Sequence, residues 1–190
     1  MIQIHLSYMK CNEETNEAGS DEPYILAVAV PLTPSVPVVP VQAPITSDVV
    51  LYQFAEVNED DRPRFGIFES FWGIGGVPAT LLDPNNAIFV IAMMENDDGD
   101  PAVSRGIVNA AVDVSLAESL AVARPGKVGM LIRDVDSARR IPTGFPSFDD
   151  AVGAPQELRF SADELQRAEN GQIVTKTMVF EGDCRRLSCA

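Results

Sequence analysis

The sequence predicts a mainly β protein, an antiparallel sandwich of about seven or eight strands carrying an inserted helical pair. Three observations lead there. Short apolar segments rich in Val, Ile, Phe and Tyr recur along the chain, separated by turns rich in Pro, Gly or acidic residues, which is the signature of strands. Between about residues 101 and 145 the apolar period lengthens to that of helices. No linker or internal repeat divides the 190 residues, so 1–190 reads as a single domain.

Taken in order, Ile2, Ile4 and Leu6 alternate with polar residues and predict a first strand. An acidic loop, 11–22, follows. Tyr24 to Val30 is apolar and β-prone, a buried second strand. Pro31, Pro34, Pro37 and Pro40 then recur every third residue, so 31–46 reads as a semi-rigid polyproline-II connection. Asp48 to Ala55 is a third strand and Phe65 to Phe71 a fourth, with Glu59-Asp60-Asp61 an acidic turn between them. Trp72-Gly73-Ile74-Gly75-Gly76 is a Gly-rich bend without the strand–Gly-x-Gly-x-x-Gly–helix setting of a nucleotide site or the Lys of a P-loop. Ala87 to Met94 is continuously apolar, a strand buried on both faces.

Val103 to Ala123 reads as a helix with Ile107, Ala111 and Val114 on one stripe and Val108 and Val112 beside it. Pro125-Gly126 breaks it. Val128, Leu131, Ile132 and Val135 mark a second amphipathic helix, ending near Arg139-Arg140, cations suited to a helix C-terminus. Gln156 to Phe160 is a short strand. Ser161 with Glu164 forms a capping box and Gly171 a stop, so 162–170 is a short helix. Ile173 to Phe180 is the last clear strand, and 181–190 is a weak edge strand or a tail.

Apolar residues make up 46% of the chain, which excludes a disordered acidic tail. A chain of this length buries roughly 70% of its unfolded surface and needs no staple. The net charge of −14 argues against nucleic acid, whose phosphates call for clustered Lys and Arg. No apolar run approaches the length of a membrane span. The N-terminus lacks the basic and apolar regions of a signal peptide, which makes cytoplasm the default expectation.

Catalytic chemistry has little to stand on. His5 is the sole histidine and lies in an alternating stretch, so it reads as a strand side chain rather than a base or ligand. Cys11, Cys184 and Cys189 are too few and too irregular for a disulfide framework or a zinc site; Cys184 and Cys189 read as free thiols in a polar tail, with a bridge closing a small C-terminal loop as the alternative. Paired carboxylates in principle run acid–base chemistry, but no motif supports it, and the chain reads as non-enzymatic.

The acids themselves are clustered. Glu13, Glu14, Glu17, Asp21 and Glu22 lie in 11–22; Glu95, Asp97, Asp98 and Asp100 in 95–100; Asp149 and Asp150 are adjacent. An even spread would place about 3 acids in these positions rather than 11. Acids favour loops, but three acidic loops meeting in space would also suit a hard cation such as calcium. An EF-hand is not the explanation, because reading 94–105 that way puts Met94 and Arg105 where oxygen ligands are required.

Three segments resemble parts of a C2 domain, the β-sandwich that often binds calcium at loops on one end. Gly19-Ser20-Asp21-Glu22-Pro23-Tyr24 is similar to that family's Gly-x-Ser-Asp-Pro-Tyr stretch, with Glu22 inserted. Phe89 to Asp97 is similar to the strand running into Asp-x-Asp, with Glu95 for the first aspartate. Asp150-Ala151-Val152-Gly153 resembles the Asp-x-Ile-Gly that closes the third loop. The likeness covers roughly 2–30, 48–97 and 149–180. It implies Asp21, Glu95, Asp97 and Asp150 as calcium ligands, with a further first-loop ligand near Glu14 or Glu17. It also implies a helical insertion inside the third loop, beside the metal end.

These readings lead to a non-enzymatic, calcium-binding C2-like module that mediates calcium-dependent contact with a protein or a membrane surface. Asp48 to Ala55 lacks the lysines by which some C2 domains grip head groups, and the net charge disfavours peripheral contact with an anionic bilayer, which leaves a protein partner and a disfavoured membrane contact as the two options. The alternative is a metal-free structural or interaction scaffold using the helical insertion or the Pro-rich loop. Under that alternative, deleting 103–140 leaves the sandwich folded.

Overall fold

The two strands with the most continuous apolar sequence form the centre of the structure. A segment with no polar side chain to turn outward is stable only where both faces are covered. In chain order the elements are β1 (Met9–Cys11), β2 (Pro23–Pro31), β3 (Asp48–Gln53), β4 (Ala87–Glu95), α1 (Pro101–Glu118), α2 (Arg124–Arg139), β5 (Asp150–Glu157), α3 (Ala162–Glu169), β6 (Met178–Phe180) and β7 (Leu187–Cys189). They come from a computed structural model that describes residues 1–11, 22–32, 48–54, 57–64, 70–72, 80–145, 148–180 and 187–189.

A four-stranded antiparallel sheet runs β3-β2-β4-β5. β2 and β4 pair along their full length, from Pro23 opposite Glu95 to Pro31 opposite Ala87. The period of two separates their side chains into two cores. Ile25, Ala27, Ala29, Phe89, Ile91 and Met93 enter one; Leu26, Val28, Val30, Ile88, Val90, Ala92 and Met94 enter the other. The second core is closed by Val108, Val112 and Leu116 of α1 and Leu131 and Val135 of α2. The first is closed by Ile2, Ile4, Leu6 and Met9, by Phe71 and Trp72, and by Leu165, Met178 and Phe180. Phe89 is its hub: Phe71, Trp72 and Phe160 each meet its ring edge-on, with centroids 5.8, 5.1 and 6.2 Å away. A small second sheet, β1-β7-β6, lies beyond.

This arrangement corrects the expected fold class. The protein is not a mainly β sandwich of seven or eight strands: among the described residues helix and strand contribute about equally, near 33% and 31%, and a four-stranded antiparallel sheet is combined with three helices. The helical pair does lie between β4 and β5, as the sequence indicated, but it packs on a sheet face and supplies one wall of a core. The stripe expected on α1 is also rotated. Val108 and Val112 are buried, whereas Val114 is exposed.

Other boundaries moved for identifiable reasons. Ile2, Ile4 and Leu6 are alternately buried as predicted, but residues 2–8 make only isolated bridges, His5 to Ser70 and Tyr8 to Arg64. α2 begins at Arg124 because Pro125 sits in the first turn, where its missing N–H costs nothing. β5 occupies 150–157 rather than 156–160. Of 173–180 only the last three residues are strand, and Ile173 is almost fully exposed. α3 and its capping box stand as predicted, with Gly171 at positive φ behind it. Most of the acidic loop, the Pro-rich loop, the strand expected at 65–71 and the Gly-rich bend fall outside the described residues, as does Cys184.

The β4–β5 ladder carries an irregularity filled by one arginine. Ile91 pairs Gln156 and Met93 pairs Val152, so three residues of β5 oppose Ala92 alone. Such a bulge leaves carbonyls without ladder donors. Arg139 supplies them: Nη1 donates to Met93 O (2.9 Å) and Val152 O (3.2 Å), and Nη2 to Gly153 O. Asp136 accepts from its Nε and Nη2. Arg124, at the other end of α2, donates to Ala87 O (3.0 Å) and Glu157 (2.6 Å). The two arginines clamp α2 to both ends of the strand pair.

Candidate functional site

Strand register decides which acidic segments meet. Pro23 pairs Glu95, and Glu95 in turn pairs Asp150. Three adjacent strands therefore end together, and Glu22, the segment 95–100 and Asp149-Asp150 lie at one end of the sheet. The individual residues behave differently. Glu95 points to the face shared by Ile25 and Met93 and is buried, while Asp150 across from it is exposed. Asp97 lies half-buried in the bend after β4. Glu95 and Asp97 both have interaction partners. Glu14, Glu17 and Asp21 lie outside the described residues. Among the described residues no three His, Cys, Asp or Glu side chains come together as a metal-holding group. The expected ligands Glu95, Asp97 and Asp150 thus share an end of the sheet without forming a cage by themselves.

The best-organised polar cluster at this end centres on Asp149, which the sequence reading placed only in an acidic pair. Asp149 is buried. Its Oδ2 accepts from the Tyr24 hydroxyl (2.9 Å) and the Thr143 hydroxyl (3.1 Å), with Ser104 Oγ at 3.5 Å. Its Oδ1 accepts from the Gly99 N–H (3.1 Å), and its own N–H donates to Thr143 O (3.1 Å). One side chain thereby ties β2, the bend after β4, α1 and the loop after α2. Gly99 is required, because a Cβ there would overlap the Asp149 carboxylate. Burial pushes the Tyr24 phenol well above its ordinary range; a hydrogen bond with Ser104 opposes this and Asp149 adds to it. A usable signal was present: Tyr24 opens an otherwise aliphatic buried strand, and a buried phenol needs a partner.

Beside this cluster, at the end of the sheet where α1 begins, lies a cleft of about 300 Å³ lined, among the described residues, by Glu22, Tyr24, Gln53, Phe54, Asn96 and Pro101. Strand β2 sets Tyr24, β3 sets Gln53 directly opposite it, and Pro101 is the first residue of α1. Asn96 and Glu22 close one side: Asn96 N–H donates to Glu22 O (3.1 Å), and its Nδ2 to Glu22 Oε2 (3.0 Å).

The loop from α2 into β5 reaches the same end, and there Ile141, Phe145 and Phe148 are exposed. Among the described residues no helix is long and apolar enough to cross a membrane. No family model, no curated protein and no solved structure matches the chain.

Proposed function

We propose that this protein is a non-enzymatic binding module that works through the acidic end of its four-stranded sheet and takes calcium there. One observation carries the reading: the register Pro23–Glu95–Asp150 brings Glu22, the segment 95–100 and Asp149-Asp150 to one end of adjacent strands. Carboxylates gathered in this way repel one another, and a hard cation with six to eight oxygen ligands relieves the repulsion. Asp21, Glu95, Asp97 and Asp150, with Glu14 or Glu17, are the ligands in this reading. The exposed Ile141, Phe145 and Phe148 on the neighbouring loop supply an apolar contact for a protein partner once the charge beside them is neutralised.

Calorimetry and thermal melts with calcium and with chelator test the proposal. At a hundredfold excess over Kd, binding to the folded state adds about 2.7 kcal/mol, which raises Tm by roughly 5 to 10 °C for a chain of this size. An unchanged melt at millimolar calcium overturns it.

A second reading, a metal-free interaction scaffold, is favoured by the same exposed loop with Ile141, Phe145 and Phe148. It expects an apolar dye to bind in the presence of chelator and to lose binding in a Phe145→Ser, Phe148→Ser double variant. No dye binding under chelator counts against it.

A further inference from the structure

The cleft between β2, β3 and the start of α1 has a lining with one chemical bias. Among the described residues its polar lining is Glu22, Gln53 and Asn96, its walls include the Tyr24 and Phe54 rings, and no basic side chain contributes. Asn96 is oriented by its neighbour. The Glu22 carboxylate only accepts, so the Asn96 amide nitrogen faces it at 3.0 Å and the oxygen is fixed on the other side. That oxygen, Asn96 Oδ1, is buried with no donor, a condition that costs free energy until a donor arrives. Neither Glu22 Oε1 nor the Gln53 amide has a hydrogen-bond partner among the described residues.

We infer that this cleft binds a guanidinium group, presented as an arginine side chain by a partner protein. A guanidinium is a planar cation with five N–H donors in a rigid fork, weakly hydrated and able to stack on aromatic faces. Those properties answer a lining of one carboxylate, two amide oxygens and two rings. Among the described lining residues a single carboxylate and two amides leave most of calcium's six to eight oxygen positions unfilled beside apolar rings, and an anion meets no positive group. The Tyr24 ring is a fixed wall, because its hydroxyl is already donated to Asp149. Tyr24, Gln53 and Pro101 set most of the cleft on the helix-covered side, whereas Glu95 and Asp150 point to the other, so the inference goes beyond the calcium proposal and is tested separately.

The test is NMR titration of the full chain with N-acetyl-arginine amide, reading the side-chain amides of Asn96 and Gln53, with the uncharged isostere N-acetyl-citrulline amide as control. Saturable shifts at both amides with the arginine probe, and binding at least about tenfold weaker for citrulline, are expected, since a charge-assisted hydrogen bond is worth about that factor. Glu22→Gln should weaken the arginine probe by a similar factor while preserving the fold, because the glutamine oxygen still accepts from Asn96. Asp150→Asn should leave it unchanged, even where it alters a calcium response. Equal binding of the two probes, or no saturable shift up to about 10 mM, a concentration at which a ligand worth only about 3 kcal/mol would begin to show, overturns the inference.

Discussion

Two buried polar residues hold more of this structure than their number suggests. Arg139 is about 1% exposed and its guanidinium serves three carbonyls that the β5 bulge removes from the ladder. Burial pushes its pKa down and Asp136 works against that shift; the fixed geometry lets the charge stay. Replacing it by methionine keeps much of the volume and strands both the carbonyls and Asp136. Arg139→Met should therefore cost about 3 kcal/mol, read as a fall in Tm of roughly 6 to 12 °C; a loss below about 1 kcal/mol would show that the bulge does not depend on it. Tyr24 gives a pH-dependent prediction. Its folded-state pKa is raised above the ordinary value, so the stability it contributes is fully present below about pH 10 and is lost as pH rises beyond that. Tyr24→Phe should cost about 1 kcal/mol near neutrality and flatten the alkaline decline. A wild-type chain whose stability is level from pH 9 to 11 contradicts the assignment.

At the scale of elements, legibility followed how local the deciding force was. α3 was readable to the residue because its signals are local: Ser161 Oγ accepts from Glu164 N (3.2 Å), Glu164 Oε2 accepts from Ser161 N (2.7 Å), and Gly171 follows at positive φ. Ser161→Ala should cost about 1 kcal/mol, measurable by chemical denaturation, with a change under a few tenths showing that the helix is held by Leu165 alone. β2 and β4 were equally legible, since unbroken apolar runs of seven and eight residues, Tyr24 to Val30 and Ala87 to Met94, have few alternatives. β5 was not. Its sequence, DAVGAPQE, contains Gly153 and Pro155, which argue against a regular strand, and it is a strand only because Arg139, distant in sequence, completes its hydrogen bonding. The helix pair was found, but its destination was mistaken. Periodicity tells that α2 has an apolar face, and nothing in a single helix tells which surface will cover it. The same limit applies to the candidate site: the gathering of the acids is visible in sequence, whereas the burial of Asp149 and the cleft beside Asn96 depend on register.

At the scale of the whole molecule, the helical pair is a layer of the fold and not an appendage, which reverses the expectation that the strands remain folded without it. Remove 101–145 and one face of the central sheet, including Tyr24, Leu26, Val28, Val30, Ile88, Val90, Ala92 and Met94, meets water. At about 2 kcal/mol apiece these side chains represent as much free energy as the roughly 5 to 15 kcal/mol that stabilises a typical domain. The deletion also takes away Arg139, and with Ser104 and Thr143 it dismantles half of the Asp149 cluster. A short linker across the gap gives back neither the apolar cover nor the donors. The variant should lose its cooperative thermal transition and near-ultraviolet circular dichroism and bind an apolar dye, the behaviour of a chain that retains collapse without fixed packing. Retention of a sharp melt near the wild-type temperature would mean that β3-β2-β4-β5 and the layer beneath it fold alone, and that the helices are cargo on a self-sufficient sheet. Because both cores share β2 and β4, a single cooperative unit is the physical expectation: a strand whose two faces belong to different cores cannot lose one without loosening the other.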